Sequence, residues 1–189
     1  MTKNLLLKHL IAVAIIVSVG ALGFCYLTKT ASTQKAEAVA AAKIVSQDNL
    51  IKYETQTAVS ALQEIYNGYK AGDFSLSQAK EFSASVLRDM RYGDNQEGYF
   101  FADTTEGVNV VLYGRTDVEG QNRNEAKDVN GLLYIQEIRK NGSQTGGGYT
   151  DYWFPKINET TAKAKRAFSL VFEPFGWVVG TGYYLEDVK

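Results

Sequence analysis

The stretch Trp177-Val178-Val179-Gly180-Thr181-Gly182-Tyr183-Tyr184 decides the fold. Aromatic and β-branched residues dominate it, so it reads as a strand. Glu173-Pro174-Phe175-Gly176 precedes it with turn chemistry, and residues 163–172 before that turn read as another strand. Further upstream, Gly146-Gly147-Gly148 leads into a strand over 149–154 that Pro155 closes. Tyr99-Phe100-Phe101-Ala102 and the β-branched run 108–113 flank the short polar loop Asp103-Thr104-Thr105-Glu106-Gly107, which is the pattern of a hairpin.

The remaining segments read as helix. Residues 30–70 are rich in Ala, Lys, Glu and Gln, contain no Pro, and carry their first glycine at Gly68. Ile44, Ile51 and Ala58 recur every seven residues, and Leu62, Ile65 and Tyr69 continue the stripe. A helix of forty residues is about 60 Å long, more than a small domain needs. Its apolar stripe suits core packing, and its length suits a stalk that offers a homodimer face. Ala71-Gly72-Asp73 breaks it. Ser75 or Ser77 can cap a second helix over 76–91, with Ala79, Phe82, Val86 and Met90 as its apolar set and Gly93-Asp94-Asn95 as its stop. Residues 122–129 are polar and irregular, and Asp128 or Asn130 can cap a short helix over 132–139. The expected fold class is α+β, with one antiparallel sheet of about five strands packed on helices and a long N-terminal helix.

The chain has 189 residues and a formal net charge of −1, which argues against nucleic acid as a partner. Its one histidine, His9, and one cysteine, Cys25, both lie in the first 25 positions. Everything beyond them lacks imidazole and thiol, which excludes Ser-His-Asp and Cys-His catalysis, thiolate or imidazole zinc sites, and disulfides. Residues 10–28 form an uncharged, largely apolar run of nineteen, close to the roughly 20 that span a bilayer. Lys3 and Lys8 precede it and favour a cytoplasmic N-terminus. An uncleaved anchor over residues 5–28 fits best. A signal peptide cut near Ala21-Leu22-Gly23, or a lipoprotein signal at Cys25, fits less well, the latter because of the bulky Phe24. Residues 1–29 carry a charge of +3, which leaves −4 for the rest. The expected organisation is a membrane anchor over 1–29, a stalk helix over 30–70 and a sheet domain over 71–189. The protein would sit in the cell membrane as a single-pass chain with residues 30–189 extracytoplasmic.

Four blocks in order resemble single-Cache sensor domains, the PAS-like extracytoplasmic modules of bacterial chemoreceptors and sensor kinases. They are Met90-Arg91-Tyr92-Gly93 with Gly98-Tyr99-Phe100-Phe101, and Glu119-Gly120-Gln121-Asn122 with Asp128-Val129-Asn130-Gly131. Gly147-Gly148-Tyr149-Thr150-Asp151-Tyr152, ending at Phe154-Pro155-Lys156, follows. Trp177 to Tyr184 with Glu186-Asp187-Val188 is the most specific. The resemblance covers about residues 35–188. It implies a PAS-like sheet and a pocket on one sheet face for small extracellular molecules such as acetate, propionate or pyruvate. Many members carry a His-Pro pair where this chain has Tyr113-Gly114, and most continue into a second membrane helix and a signalling region, whereas this sequence stops at Lys189. The expectation is a receptor cut short or a standalone sensor that signals through a separate protein.

Binding fits the residues better than catalysis, and no enzymatic activity is expected. A carboxylate ligand needs a fixed cation, hydrogen-bond donors and an apolar wall, and tyrosine supplies donor and wall together. The resemblance marks Lys165 as the ligand-facing charge, since members carry a lysine about twelve residues before the Trp that is Trp177 here. On strand alternation Lys165 shares a face with Ala167 and Ser169, opposite Arg166 and Phe168. Arg91, Tyr99, Phe101, Tyr113, Tyr152 and Trp153 complete the candidate ligand set, although Tyr152 and Trp153 point to opposite faces of a regular strand. Gly176, Gly180 and Gly182 resemble a phosphate loop only superficially because no helix follows them, so no cofactor is expected, and residues 128–131 lack the EF-hand pattern, so no metal is expected. A second reading is an anchored scaffold that binds a partner protein and lacks its own output module. A carboxylate-based hydrolase would need two converging acids, and the sequence offers no such pair.

Overall fold

The structure is a computed structural model that describes residues 3–188, with side chains described over 33–188. The expected membrane span over 10–28 therefore lies outside the residues whose side chains are described. Among the described residues no helix is long and apolar enough to cross a membrane. The chain divides into the units Met1–Lys43 and Ile44–Lys189. The second unit holds the whole sheet.

Helix α1 runs over Lys3–Ala71 and α2 over Leu76–Asp89. Strands follow as β1 (Arg91–Tyr92), β2 (Gly98–Thr104) and β3 (Asn109–Leu112). Then come α3 (Tyr134–Gly142), β4 (Gly148–Pro155), β5 (Ala162–Phe172) and β6 (Trp177–Tyr184). The sheet has six strands rather than about five, in the order β1-β2-β6-β5-β4, with β3 also paired to β2. The extra strand is the short β1, which pairs Arg91 with Tyr99. It takes Arg91 out of the second helix, which ends at Asp89 because Met90 adopts extended backbone. All pairings are antiparallel.

Ser75 caps α2 through a capping box with Gln78: each side chain accepts the other residue's backbone N–H. The buried stripe of α2 is Ala79, Ser83 and Leu87, one position away from part of the expected set. Phe82 instead stands exposed, edge-on to Phe74 at 5.4 Å. On α1, Ile51, Ala58 and Leu62 are buried as their spacing predicts, while Ile44 is exposed.

Strand alternation gives the sheet two different faces. Phe100, Ala102, Phe172, Trp177 and Val179 pack with Ala58, Leu62, Ala79 and Leu87 of the first two helices. Tyr99, Phe101, Tyr152, Ala167 and Val178 face the other way, against Tyr134, Ile135 and Ile138 of α3. Gly180 makes this second face possible, because a Cβ there would lie 2.5 Å from the Phe101 ring and 2.6 Å from the Phe168 carbonyl oxygen. Only hydrogen allows β6 and the Phe101 ring to approach so closely.

Candidate functional site

The face under α3 buries charge. Lys165, on β5, is 2% exposed, and its Nζ donates to the Tyr99 hydroxyl at 2.7 Å. Three rings surround that ammonium: the Nζ lies 4.4 Å from the Tyr99 centroid, 5.1 Å from Tyr184 and 5.6 Å from Phe154. Such contacts are favourable for a desolvated cation but do not neutralise it. Among the described residues no carboxylate forms an ion pair with Lys165. A buried charge without a counter-ion is costly, and proteins keep one where a function requires it. Burial alone would raise the Tyr99 phenol, but the Lys165 ammonium beside it outweighs burial and holds it below its ordinary value.

A second polar group lies on the same face. Asp103, on β2, is 1% exposed. Asn109 donates to its Oδ1 at 3.0 Å, and Arg123 Nη1 lies 3.9 Å from the same oxygen. Burial pushes the Asp103 carboxyl up, against the pull of Arg123. Arg123 also donates to the Tyr134 hydroxyl. The Tyr134 ring stacks flat on Tyr152, with centroids 5.2 Å apart and planes 4° apart. Burial holds the Tyr152 phenol well above its ordinary range, so it is protonated and a donor at neutral pH.

A cavity of about 10 Å³ lies here, with Lys165, Asp103 and Arg123 among its lining residues. That is room for one water at most. Phe101, Leu112, Tyr152 and Phe154 form its walls. A larger cleft of about 400 Å³ opens on the surface between Thr105 and α3, lined by Asn124, Gln136 and Arg139 among others. Its cations Arg139 and Lys140 occupy the last turn of α3, where they complement the helix dipole.

Four of the seven residues expected to bind ligand come together here: Lys165, Tyr99, Phe101 and Tyr152. Tyr113 stands at the rim, its ring centroid 5.7 Å from that of Tyr99. Arg91 lies over Tyr113 at 3.4 Å and donates to the carbonyl oxygens of Arg88 and Met90, so it reaches the site only through Tyr113. Trp153 does not belong. It is 40% exposed on the opposite face, since β4 is regular and only Tyr152 of the pair can face α3. Sequence reading placed Asp103 in a loop and gave Arg123 no role. Asp103 was accessible to alternation, two positions beyond Phe101. Arg123 was not, because its irregular segment carries no period.

Comparisons with known proteins agree with this fold. The model of the family described as Single Cache domain 2 matches residues 44–189. The sensor histidine kinase MctS of Rhizobium johnstonii is 34% identical over 134 residues, covering 71% of this chain and 28% of the kinase. The methyl-accepting chemotaxis protein McpP of Pseudomonas putida is 25% identical over 138 residues, covering 73% of this chain and 25% of that protein. The chain thus spans about a quarter of the length of these curated relatives. A periplasmic sensor domain of a chemotaxis protein superposes with a TM-score of 0.71 at 26% identity, covering 75% of this chain and 96% of that one. A Cache chemosensory domain solved for its carboxylic acid recognition superposes with a TM-score of 0.70 at 23% identity, covering 75% and 95%.

Proposed function

The chain belongs to the single Cache domain 2 family, and on that premise we propose that its sheet domain is an extracytoplasmic sensor that binds a short monocarboxylate between the sheet and α3. The observation that carries this reading is Lys165: a buried ammonium, ringed by aromatics, whose acceptor is one neutral phenol. A carboxylate is the ligand group that completes such a site, through a charge-assisted hydrogen bond from Nζ. The carboxylic-acid-binding Cache domain is kin in fold, so the ligand class here rests on this lysine.

Each neighbour has a part. Tyr99 turns from acceptor to donor once the carboxylate takes the lysine's hydrogen bond, since a phenol can do either. The Tyr134–Tyr152 stack and Phe101 wall the short tail. Asp103, which lines the same cavity, repels a second carboxylate, so the site favours monocarboxylates over dicarboxylates. Residues 5–28 anchor the chain in the membrane in this reading, and a kinase or chemotaxis output receives the signal.

Calorimetric titration of the full chain in detergent micelles tests it. Acetate, propionate or pyruvate is expected to bind, and succinate is not. Lys165→Met should weaken the best ligand by at least about thirtyfold, the lower range for removing one partner of a buried charge pair. Unchanged affinity in Lys165→Met would sink the assignment.

A further inference from the structure

The residues that hold α1 to the sheet are the immediate chain neighbours of the residues in the ligand site. Across three strands, Tyr152, Lys165 and Tyr184 form one cross-strand row, and Asp151, Arg166 and Tyr183 form the next. Because successive side chains alternate, the first row faces the cavity and the second faces α1. The second row converges on one carboxylate. Arg166 Nε lies 3.0 Å from Asp48 Oδ1, an ion pair that is off the hydrogen-bonding direction. The Tyr183 hydroxyl donates to the same Oδ1 at 2.9 Å, and the Tyr149 hydroxyl donates to the Asp48 backbone oxygen at 3.0 Å. Asp151 steadies the guanidinium, accepting from Arg166 Nη1 at 2.9 and 3.1 Å.

We propose that Asp48 is a positioning residue of the ligand site, a clamp that couples the state of the cavity to the seating of α1 through the paired rows Lys165–Tyr184 and Arg166–Tyr183. The inference rests on the carboxylate reading given above. The physical reason is size. A cavity of about 10 Å³ admits one water, so a carboxylate of four or more heavy atoms requires Lys165, with its cross-strand neighbour Tyr184, to draw apart from the opposing wall. Peptide bonds carry that displacement to Arg166 and Tyr183, because a strand cannot move one residue and leave the next in place. The clamp drawn here fits the closed cavity, so it opposes ligand entry, and the ligand in turn loosens the clamp. Reciprocity makes the two effects equal in binding free energy.

The full chain in detergent provides two arms. In the ligand-free arm, amide hydrogen exchange is followed over residues 44–55 of α1 in the wild type and in Lys165→Met. Coupling predicts a change of about fivefold or more from a substitution on the opposite face of the sheet. In the ligand arm, propionate is titrated into the wild type, Asp48→Asn and Tyr183→Phe. Releasing the clamp should tighten binding by about fivefold or more in Asp48→Asn, by less in Tyr183→Phe, and not in the exposed control Ser60→Ala. Tyr183→Phe loses one hydroxyl, so it answers the question if Asp48→Asn fails to fold. Exchange over 44–55 that matches wild type in Lys165→Met overturns the coupling. So does propionate affinity unchanged in both clamp variants. If no short carboxylate binds the wild type, the ligand reading fails instead, and the exchange arm still decides the coupling.

Discussion

On the face toward α1 and α2, Phe100, Trp177 and Val179 meet Leu62, Ala79 and Leu87 in an apolar cluster. On the face toward α3, the same three central strands bury Lys165 and Asp103 among tyrosines. Two tyrosines seven residues apart in sequence show the difference. Tyr92, on the first face, shares a hydrogen bond with the neutral Thr181 hydroxyl at 2.7 Å, and burial pushes its phenol up to about 12. Tyr99, on the second, is also buried, yet the Lys165 ammonium brings it below the ordinary 10.0. Tyr99 is the more buried of the two, so burial alone would raise it at least as much; the charge buried with the ring decides the sign. One face is an apolar core, and the other carries buried charge at some cost in stability and holds the proposed site.

Three substitutions test that contrast. The largest expected loss of stability is Phe100→Ala, about 3–5 kcal/mol for truncating a fully buried aromatic. Denaturant unfolding would measure it, and ligand affinity in the remaining folded protein should stay near wild type. Lys165→Met should do the reverse. Removing an unpaired buried charge is expected to leave stability unchanged or raise it by about 1–4 kcal/mol, as when other buried charges are replaced by apolar groups. A clear loss of stability in Lys165→Met would show that the lysine serves the fold, and the contrast would break.

The smallest effect is a shift with pH. Because Tyr99 titrates below 10.0, tyrosinate absorbance should begin to appear below the pH at which ordinary phenols ionise. Tyr99→Phe should lose that early fraction. The phenolate would pair with the Lys165 ammonium, so carboxylate affinity should fall as pH rises through the Tyr99 value. The linkage to stability has the opposite sense. A depressed pKa contributes stability that is fully present above the unfolded value and is lost as pH falls through the folded one. Alkaline titration in which Tyr99→Phe and wild type coincide would remove Tyr99 from the site.

Strand alternation made the placement of several candidate residues legible before the fold. Alternation along β5 put Lys165 opposite Arg166, and the structure places them on opposite faces as that requires. The same rule separates Tyr152 from Trp153, and it explains why Trp153 is exposed. Asp103 was missed because it was read as loop rather than as the continuation of β2, and Arg123 because it belongs to the site through a contact between distant segments. Arg123 reaches Asp103 from an irregular loop, and Tyr134 stacks on Tyr152 from a helix. Arg91 was misplaced for a local reason: Met90 turns extended and starts a two-residue strand too short to announce itself.

The sequence by itself determined the α+β class, the order of helices and strands, the hairpin of β2 with β3, and the face that Lys165 shares with Ala167. These follow from period and turn chemistry, which are local properties of the chain. Tertiary structure alone decided that Lys165 has no carboxylate partner among the described residues, that Asp103 is buried, and that Asp48 meets Arg166 and Tyr183 across 118 and 135 residues, respectively. Such pairings depend on strand order and on how the helices seat against the sheet, and no local pattern encodes the distance between two side chains so far apart in sequence.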